Sequence, residues 1–310
     1  MVKSPLLTIV VTTYKRDIFL ELALSKILEQ NYDSLEIIVI DDNPNQNSNS
    51  TEKIVNEFVG KNNAQIKYIK NKKNIGISNA HKLGFSESRG KYIVFHDDDD
   101  YYTNADWLTK AVNIMMADPE LAFVGARSFA FTEDEKREDN LSCFGKITSK
   151  EYLKNFTTIG KPLSTFAAVF DTSKLEAAKF NNMLISNDTT IYLRALLYGG
   201  GYLLNEYIGM YRVHKNSLTK TIDADTLLLH IDEKELLLSE LKWDSSEKND
   251  FYFNQSKMNL GYYILRNANP NYRKVFGWIN KKPRKNRNKL RLIVIKFVVK
   301  KFMFQLLKIK

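Results

Sequence analysis

The sequence predicts an α/β protein built on a mostly parallel sheet flanked by helices. Three observations carry that expectation. Strand-like and helix-like segments alternate over the first 130 residues, the order that βαβ crossovers produce. The strand-like runs are apolar and β-branched, as in buried strands. Polar clusters close three of these runs, at the carboxyl ends where open α/β sheets bind ligands.

The elements follow in order. Leu6 to Thr13 is the first apolar run, and Asp17 is placed to cap a helix reaching about Gln30. Leu35 to Ile40 is a second buried strand, closed by Asp41, Asp42 and a turn-forming Asn43-Pro44. A helix near Thr51–Val59, a strand near Gln65–Ile69, a helix near Ser78–Ser88 and the strand Tyr92–Phe95 continue the alternation. Beyond Asp100 the pattern gives a helix near Ala105–Ala117, a strand near Ala122–Phe131, a loop over Thr132–Asn140 and a strand through Phe170. Ser186–Tyr198 reads as a helix, with Gly199-Gly200-Gly201 as its C-cap and turn. From Ile222 to about Arg266 a helical pattern runs on, with Leu227, Ile231, Leu238 and Leu241 on one face. No internal repeat is present.

Composition bounds the function. Hydrophobic content of 44% and charged content of 26% over 310 residues are those of a folded globular chain. The single cysteine, Cys143, rules out an intramolecular disulfide, and a reducing compartment fits. The first apolar run is interrupted at Thr12, Tyr14, Lys15, Arg16 and Asp17, so no signal peptide is expected. No uncharged apolar stretch approaches the length of a spanning helix, about 18 residues. There is no GxGxxG after the first strand, no P-loop, no EF-hand loop, no GxSxG elbow and no Cys/His pair with zinc spacing.

The most informative segment is Tyr92-Ile-Val-Phe-His-Asp-Asp-Asp-Asp100. Four adjacent carboxylates at the end of a buried strand repel one another and resist desolvation unless a cation joins them. A divalent metal holding a phosphorylated ligand is the usual physical remedy; a solvated acidic turn is the plain alternative. Thr12-Thr13-Tyr14 and Asp41-Asp42 lie at the same edge of the expected sheet, so three clusters converge there.

These residues resemble a known family. Thr8-Ile-Val-Val-Thr-Thr-Tyr14, Ile38-Val-Ile-Asp-Asp42, Asn74-Ile-Gly-Ile-Ser78, the acidic run, Asn187-Asp188 opening a helix, and Tyr211-Arg-Val-His214 occur in the order seen in family-2 glycosyltransferases with the GT-A fold, of the bacterial surface-polysaccharide type. The resemblance covers about residues 5–220 and implies the roles that follow. Asp97-x-Asp99 matches the DxD motif: Asp99 would ligate Mn²⁺ or Mg²⁺ on the donor diphosphate, and Asp97 or Asp98 would hold ribose or metal. The cation would answer the charge that develops on a nucleoside-diphosphate leaving group. Thr12, Tyr14 and Asp42 match nucleoside contacts, with Asp42 accepting from the base. Asp188 matches the catalytic base of inverting members, while a helix N-cap is the other role open to Asn187 or Asp188. His214 stands where many such enzymes place another metal or phosphate ligand, and an ordinary structural histidine is its alternative. The chain departs from the family at His81, where arginine is frequent; His81 would take over that donor contact, or Lys73 or Arg89 would supply it. His96 reads as strand-end packing.

The resemblance implies an inverting, metal-dependent transfer of a hexosyl or N-acetylhexosaminyl group from a nucleotide sugar, taken as a UDP-sugar, to a lipid-linked oligosaccharide. Two alternatives stand beside it: a nucleotidyltransferase of GT-A-like fold, and a catalytically silent membrane-binding subunit that recruits a partner enzyme. The net charge of +10 sits in the tail. Residues 281–310 hold twelve Lys or Arg and no acid, leaving 34 basic against 36 acidic residues over 1–280. On a helix, Lys289, Lys296 and Lys300 share one face, with Val294, Ile295, Val298, Phe302, Leu306 and Ile309 opposite. Such a helix suits an anionic membrane surface, and no nucleic-acid signature accompanies it. The expected organisation is a catalytic domain over 1–220, a helical extension over 221–280 and a membrane-associating tail over 281–310. The chain would then be cytoplasmic, peripheral on the inner face of the cell membrane, with room for a homo-oligomer.

Overall fold

The computed structural model describes residues 4–45, 50–59, 64–132, 134–213 and 222–306. It divides into two compact units, Met1–Val213 and His214–Lys310.

The first unit opens with the expected alternation: β1 (Leu7–Thr13), α1 (Asp17–Leu28), β2 (Leu35–Asp41), α2 (Ser50–Phe58), β3 (Gln65–Lys70), α3 (Ile77–Glu87) and β4 (Tyr92–Asp97). These four strands run parallel in the order β3-β2-β1-β4. Every residue of β1 and β2 is buried, which is why their sequences read as unbroken apolar runs. Register does the positioning: Thr13 pairs with Asp41 and Thr12 with Asp97. Three polar strand ends therefore stand side by side.

Asp17 does not cap α1. It is the first helical residue, and its carboxylate accepts from Thr51 Oγ1 at 2.7 Å, tying α1 to α2.

Beyond β4 come β5 (Tyr101–Tyr102), α4 (Trp107–Ala117), β6 (Leu121–Phe131), β7 (Lys136–Arg137), β8 (Gly145–Ile147), α5 (Ser149–Lys154), α6 (Phe156–Ile159), β9 (Ala168–Asp171), α7 (Thr172–Ala177), α8 (Asp188–Ala195) and β10 (Gly200–Arg212). The sheet continues β9-β6-β10-β5, with β9 antiparallel to both β4 and β6 and β10 parallel to β6. The second half of the sheet is thus mixed.

Two glycines of the triplet read as a turn, Gly200 and Gly201, instead start β10. A Cβ at Gly200 would come within 2.6 Å of the Ile147 carbonyl oxygen, and one at Gly201 within 2.7 Å of the Phe123 ring. Glycine is required there by close packing in a strand, not by a turn.

The second unit contains α9 (Ala224–Glu240), α10 (Ser245–Arg266), α11 (Tyr272–Asn280) and α12 (Arg284–Leu306). The single helical pattern expected over 222–266 is broken at Leu241–Asp244. Asp244 caps α10 by accepting from the Glu247 amide at 2.8 Å, and a capped start ends the preceding helix. Leu227, Ile231, Tyr252, Leu260, Ile264, Val275 and Ile279 build a core of their own. Leu290 and Val294 of α12 are fully buried within it. The last helix is therefore part of this unit's core. Its apolar side is split, since Val294 points inward while Ile295, Phe302 and Leu306 are exposed; Ile309 lies outside the described residues. Among the described residues, no helix is long and apolar enough to cross a membrane.

Candidate active site

The site is built on the loop that leaves β4. Thr13 Oγ1 donates to Asp98 Oδ2 at 2.6 Å, and Thr12 Oγ1 lies 3.5 Å from Asp97 Oδ1. After β1, Lys15 adopts the left-handed conformation (φ 58°), and the chain turns to present Arg16. Arg16 Nη1 contacts Asp98 Oδ1 at 3.1 Å and Asp99 Oδ2 at 2.8 Å. Burial lowers the Arg16 pKa, but Asp98, Asp99 and Asp97 outweigh it and leave the guanidinium raised. Tyr14 is exposed, with Lys15 Nζ above its ring.

The far side of the loop is held by β10. The Arg212 amide donates to Asp100 Oδ1 at 3.0 Å, and Arg212 Nε donates to the Asp99 carbonyl at 3.2 Å. Its guanidinium is stacked between Phe19 and Phe131, 4.5 Å from each ring centre. Tyr211 beside it keeps its phenol protonated, first through burial and then through Asp188, Asp100, Asp97 and Asp99.

Electrostatics marks this loop as short of positive charge. Burial, then Asp99, Asp188 and Asp98, push the Asp97 carboxyl well above the usual carboxylate range. Burial, Asp97 and Asp99 do the same to Asp100. Asp98 is raised to about 7 by burial, against the pull of Arg16 and Thr13. Asp100 Oδ2 is buried without a hydrogen-bond partner. A hard cation with oxygen ligands fits this donor set. Among the described residues, no three His, Cys, Asp or Glu side chains form a metal-binding cluster by themselves. One or two carboxylates completed by substrate phosphates would be enough, which is how Mg²⁺ is commonly held.

Asp42 ends β2 as a tie for the following loop. Its carboxylate accepts from Asn71 Nδ2 at 2.9 Å and from the Ile75 and Gly76 amides at 2.8 Å each. Gly76 has φ of +77°, a conformation that suits glycine. Asp42 thus stands at the expected edge, with its oxygens already engaged by backbone.

Asp188 is the first residue of α8, but the cap belongs to Asn187. Asn187 Oδ1 accepts from the Thr190 amide at 2.9 Å, and Thr190 Oγ1 accepts from the Asn187 amide at 2.9 Å. This reciprocal box satisfies the helix start and leaves the Asp188 carboxylate out of the cap. It lies 3.7 Å from Lys161 Nζ and acts on Asp97 and Asp100, so α8 brings it to the β4 loop. Lys161 donates to the Pro162 and Leu163 carbonyls at 2.9 and 3.1 Å, and burial lowers its pKa.

His81 departs from its expected place among the donor contacts. It is buried against Phe95, and burial depresses its pKa to about 4. Its Nδ1 lies 3.2 Å from Ser186 Oγ, and the Ser186 amide donates to Ser78 Oγ at 2.7 Å. His81 therefore fastens α3 to the segment leading into Asp188. Arg89 serves elsewhere, bonded to Glu36 near the start of β2. His96 packs against Tyr102 and Phe166, as its strand-end reading expects. His214 lies outside the described residues. Sequence reasoning missed Arg16, Arg212 and Lys161 as site residues. Arg212 sits inside Tyr211-Arg-Val-His214 and Arg16 two residues beyond Thr8–Tyr14, and a buried carboxylate cluster that needs cations was the signal; Lys161 has no local signature.

Comparison with known proteins bears on the family and the fold. The family model described as Glycosyl transferase family 2 matches residues 8–178. The GalNAc(5)-diNAcBac-PP-undecaprenol beta-1,3-glucosyltransferase of Campylobacter jejuni is 29% identical over 216 residues, covering 68% of this chain and 66% of that protein. Glycosyltransferase GlyA of Streptococcus pneumoniae is 25% identical over 227 residues, covering 69% of this chain and 31% of the relative. The chain thus spans between about a third and just under two thirds of these relatives. Among solved structures, S. aureus TarS 1-349 in complex with UDP-GlcNAc superposes with a TM-score of 0.72 at 12% identity, over 94% of this chain and 89% of that one. The Pyrobaculum calidifontis mannosyltransferase PcManGT, in complex with GDP-Man and Mn²⁺, gives 0.53 at 14% identity over 97% and 88%. At these identities the structural likeness speaks for the fold.

Proposed function

Because the chain belongs to glycosyl transferase family 2 and carries the GT-A fold, we propose that it transfers a sugar, with inversion at the anomeric carbon, from a nucleotide sugar to a hydroxyl of a lipid-linked glycan. The observation that carries this reading is the approach of Asp188 to the Asp97–Asp100 loop while Asn187 alone does the capping. A carboxylate kept out of the cap is available to take the acceptor's proton. As the acceptor oxygen bonds to the anomeric carbon, its proton passes to Asp188, and the bond from that carbon to the diphosphate oxygen breaks.

Asp99 and Asp97 would hold Mn²⁺ or Mg²⁺, which would supply positive charge toward the departing diphosphate; the notion that His214 adds a ligand belongs to the same proposal. Thr12, Tyr14, Asp42 and Asp98 position the nucleoside, Asp42 chiefly by fixing the Asn71–Gly76 loop. Arg16 and Arg212 orient the carboxylates. The TarS complex with UDP-GlcNAc favours a UDP-sugar donor. The name of the Campylobacter relative, with its undecaprenol-linked glycan, favours a lipid-linked acceptor. We place the reaction at the cytoplasmic face of a membrane, with the chain peripheral to it and residues 281–310 as the contact, since they carry twelve cations and no acid.

The test is Asp188→Asn. Donor binding should persist while transfer falls by about 10²–10⁴-fold, the range for removing a general base. Unchanged turnover would remove Asp188 as the base. Donor binding with no transfer by the natural chain, restored by an added partner protein, would favour the silent-subunit reading.

A further inference from the structure

Helix α12 is apolar on two opposite sides, and among the described residues only one of them is packed. The inward side carries Leu290 and Val294, both fully buried, with Phe297 and Val298 beside them. Phe297 seats on α10 at Gly261, where a Cβ would lie 2.4 Å from its ring. Lys301 donates from the same side to the Asn267 carbonyl. The outward side carries Leu292, Ile295, Val299, Phe302, Met303 and Leu306, each between 51% and 79% exposed. Positions 292, 295, 299, 302 and 306 recur at three and four residues, so they line one stripe.

Charge identifies the occupant. On helical geometry Lys289, Lys296 and Lys300 border one edge of the stripe, and Arg284 and Arg291 the other. A three-four stripe is also the seam of a coiled coil. A second copy of α12, however, would bring like charge to both edges, and residues 281–310 have no acid to neutralise it. An anionic lipid surface supplies both what the stripe lacks and what its edges seek: an apolar layer beneath ordered negative headgroups. Lysine stems can lie along that layer with the ammonium groups in the headgroups. The helix does not qualify as a spanning segment, so the geometry is that of a helix lying in the interface.

We propose that α12 docks flat on an anionic membrane through the stripe Leu292–Ile295–Val299–Phe302–Met303–Leu306, while its opposite side anchors it in the core of the second unit. This rests on the membrane-surface reading given above and assigns it to one face of one helix. That face differs from the one expected from sequence, because Val294 and Val298 are used inward.

The experiment is co-sedimentation of the full chain with phosphatidylglycerol-containing vesicles and with pure phosphatidylcholine vesicles, for the natural sequence and for the double variant Val299→Asp/Phe302→Asp. The variant should bind anionic vesicles at least tenfold more weakly, with an unchanged melting temperature. The natural chain should prefer anionic to neutral vesicles. If the natural chain binds neither, membrane association itself fails. If the double variant binds as tightly as the natural chain, the stripe is overturned while membrane association stands. If the natural chain is a dimer that the variant dissociates, the occupant is a second copy and the proposal is overturned. Nucleotide binding is a separate readout, so the transfer reaction and this inference can fail independently.

Discussion

Arg16 and Asp99 form a 2.8 Å ion pair between the segments that leave the paired strands β1 and β4, and the same guanidinium nitrogen also reaches Asp98. Arg16 thus brings positive charge of the chain's own to a loop that gathers four carboxylates. Arg16→Ala should destabilise the fold at pH 8 by about 1–2 kcal/mol, less than a fully buried pair because Arg16 is partly exposed. The sign with pH follows from Asp98, whose folded pKa is raised to about 7. Its ionised form opposes folding, so stability from this group falls as pH rises from about 4 to about 7. Below about pH 7 Asp98 is protonated in the folded state, so at pH 5 the loss caused by Arg16→Ala should shrink. Thermal melts of both proteins at pH 5 and pH 8 measure it; an equal loss at both would contradict the pairing.

His81 predicts the opposite trend. Its folded pKa is depressed to about 4, so the unfolded chain binds the extra proton between about pH 6.5 and pH 4, and stability falls as pH falls through that window. The term is on the order of 3 kcal/mol once fully expressed. His81→Asn should flatten this part of the stability–pH curve. It should also lower kcat by about tenfold through a looser Asp188, with the KM for donor nearly unchanged. A variant that loses donor affinity with kcat intact would make His81 a donor contact after all.

The N-terminus of α8 separates a structural residue from a chemical one. Asn187→Ala should cost about 1 kcal/mol of stability, as for a lost N-cap. Asp188→Asn should leave stability nearly unchanged. Denaturant melts of the two variants give the comparison, and a larger loss at Asp188 would return it to the role of cap.

Gly76 tests the Asp42 loop. A Cβ there meets nothing within 4 Å, so Gly76→Ala acts through its backbone alone (φ 77°, ψ 156°), a region essentially reserved for glycine, and should cost about 1–3 kcal/mol. Asp42→Ala removes the acceptor of three hydrogen bonds and should weaken both folding and nucleotide binding. Nucleotide affinity unchanged in Asp42→Ala would separate this loop from the donor site.

Much of this was legible in the chain. Buried parallel strands write themselves as β-branched runs, so β1, β2 and β4 and the edge they share could be placed from sequence. The acidic run declared its need for cations. What local pattern could not show was the use of a residue by a distant neighbour. Gly200 and Gly201 look like a turn until Ile147 and Phe123 are seen against them. His81 reads as a donor contact from sequence, and its contact with Ser186 could not be read there. Lys161 carries no signature before α8 brings Asp188 to it. The last helix reads as one amphipathic face because periodicity cannot tell an apolar side that packs from one that does not.

The most direct measurement is calorimetric titration of the purified chain with nucleoside diphosphates and nucleotide sugars, with and without Mn²⁺, repeated on Asp99→Ala. The account predicts that one nucleotide binds only in the presence of metal and that Asp99→Ala abolishes that binding. Binding that ignores both the metal and the substitution, or no binding by the folded natural chain, would contradict it.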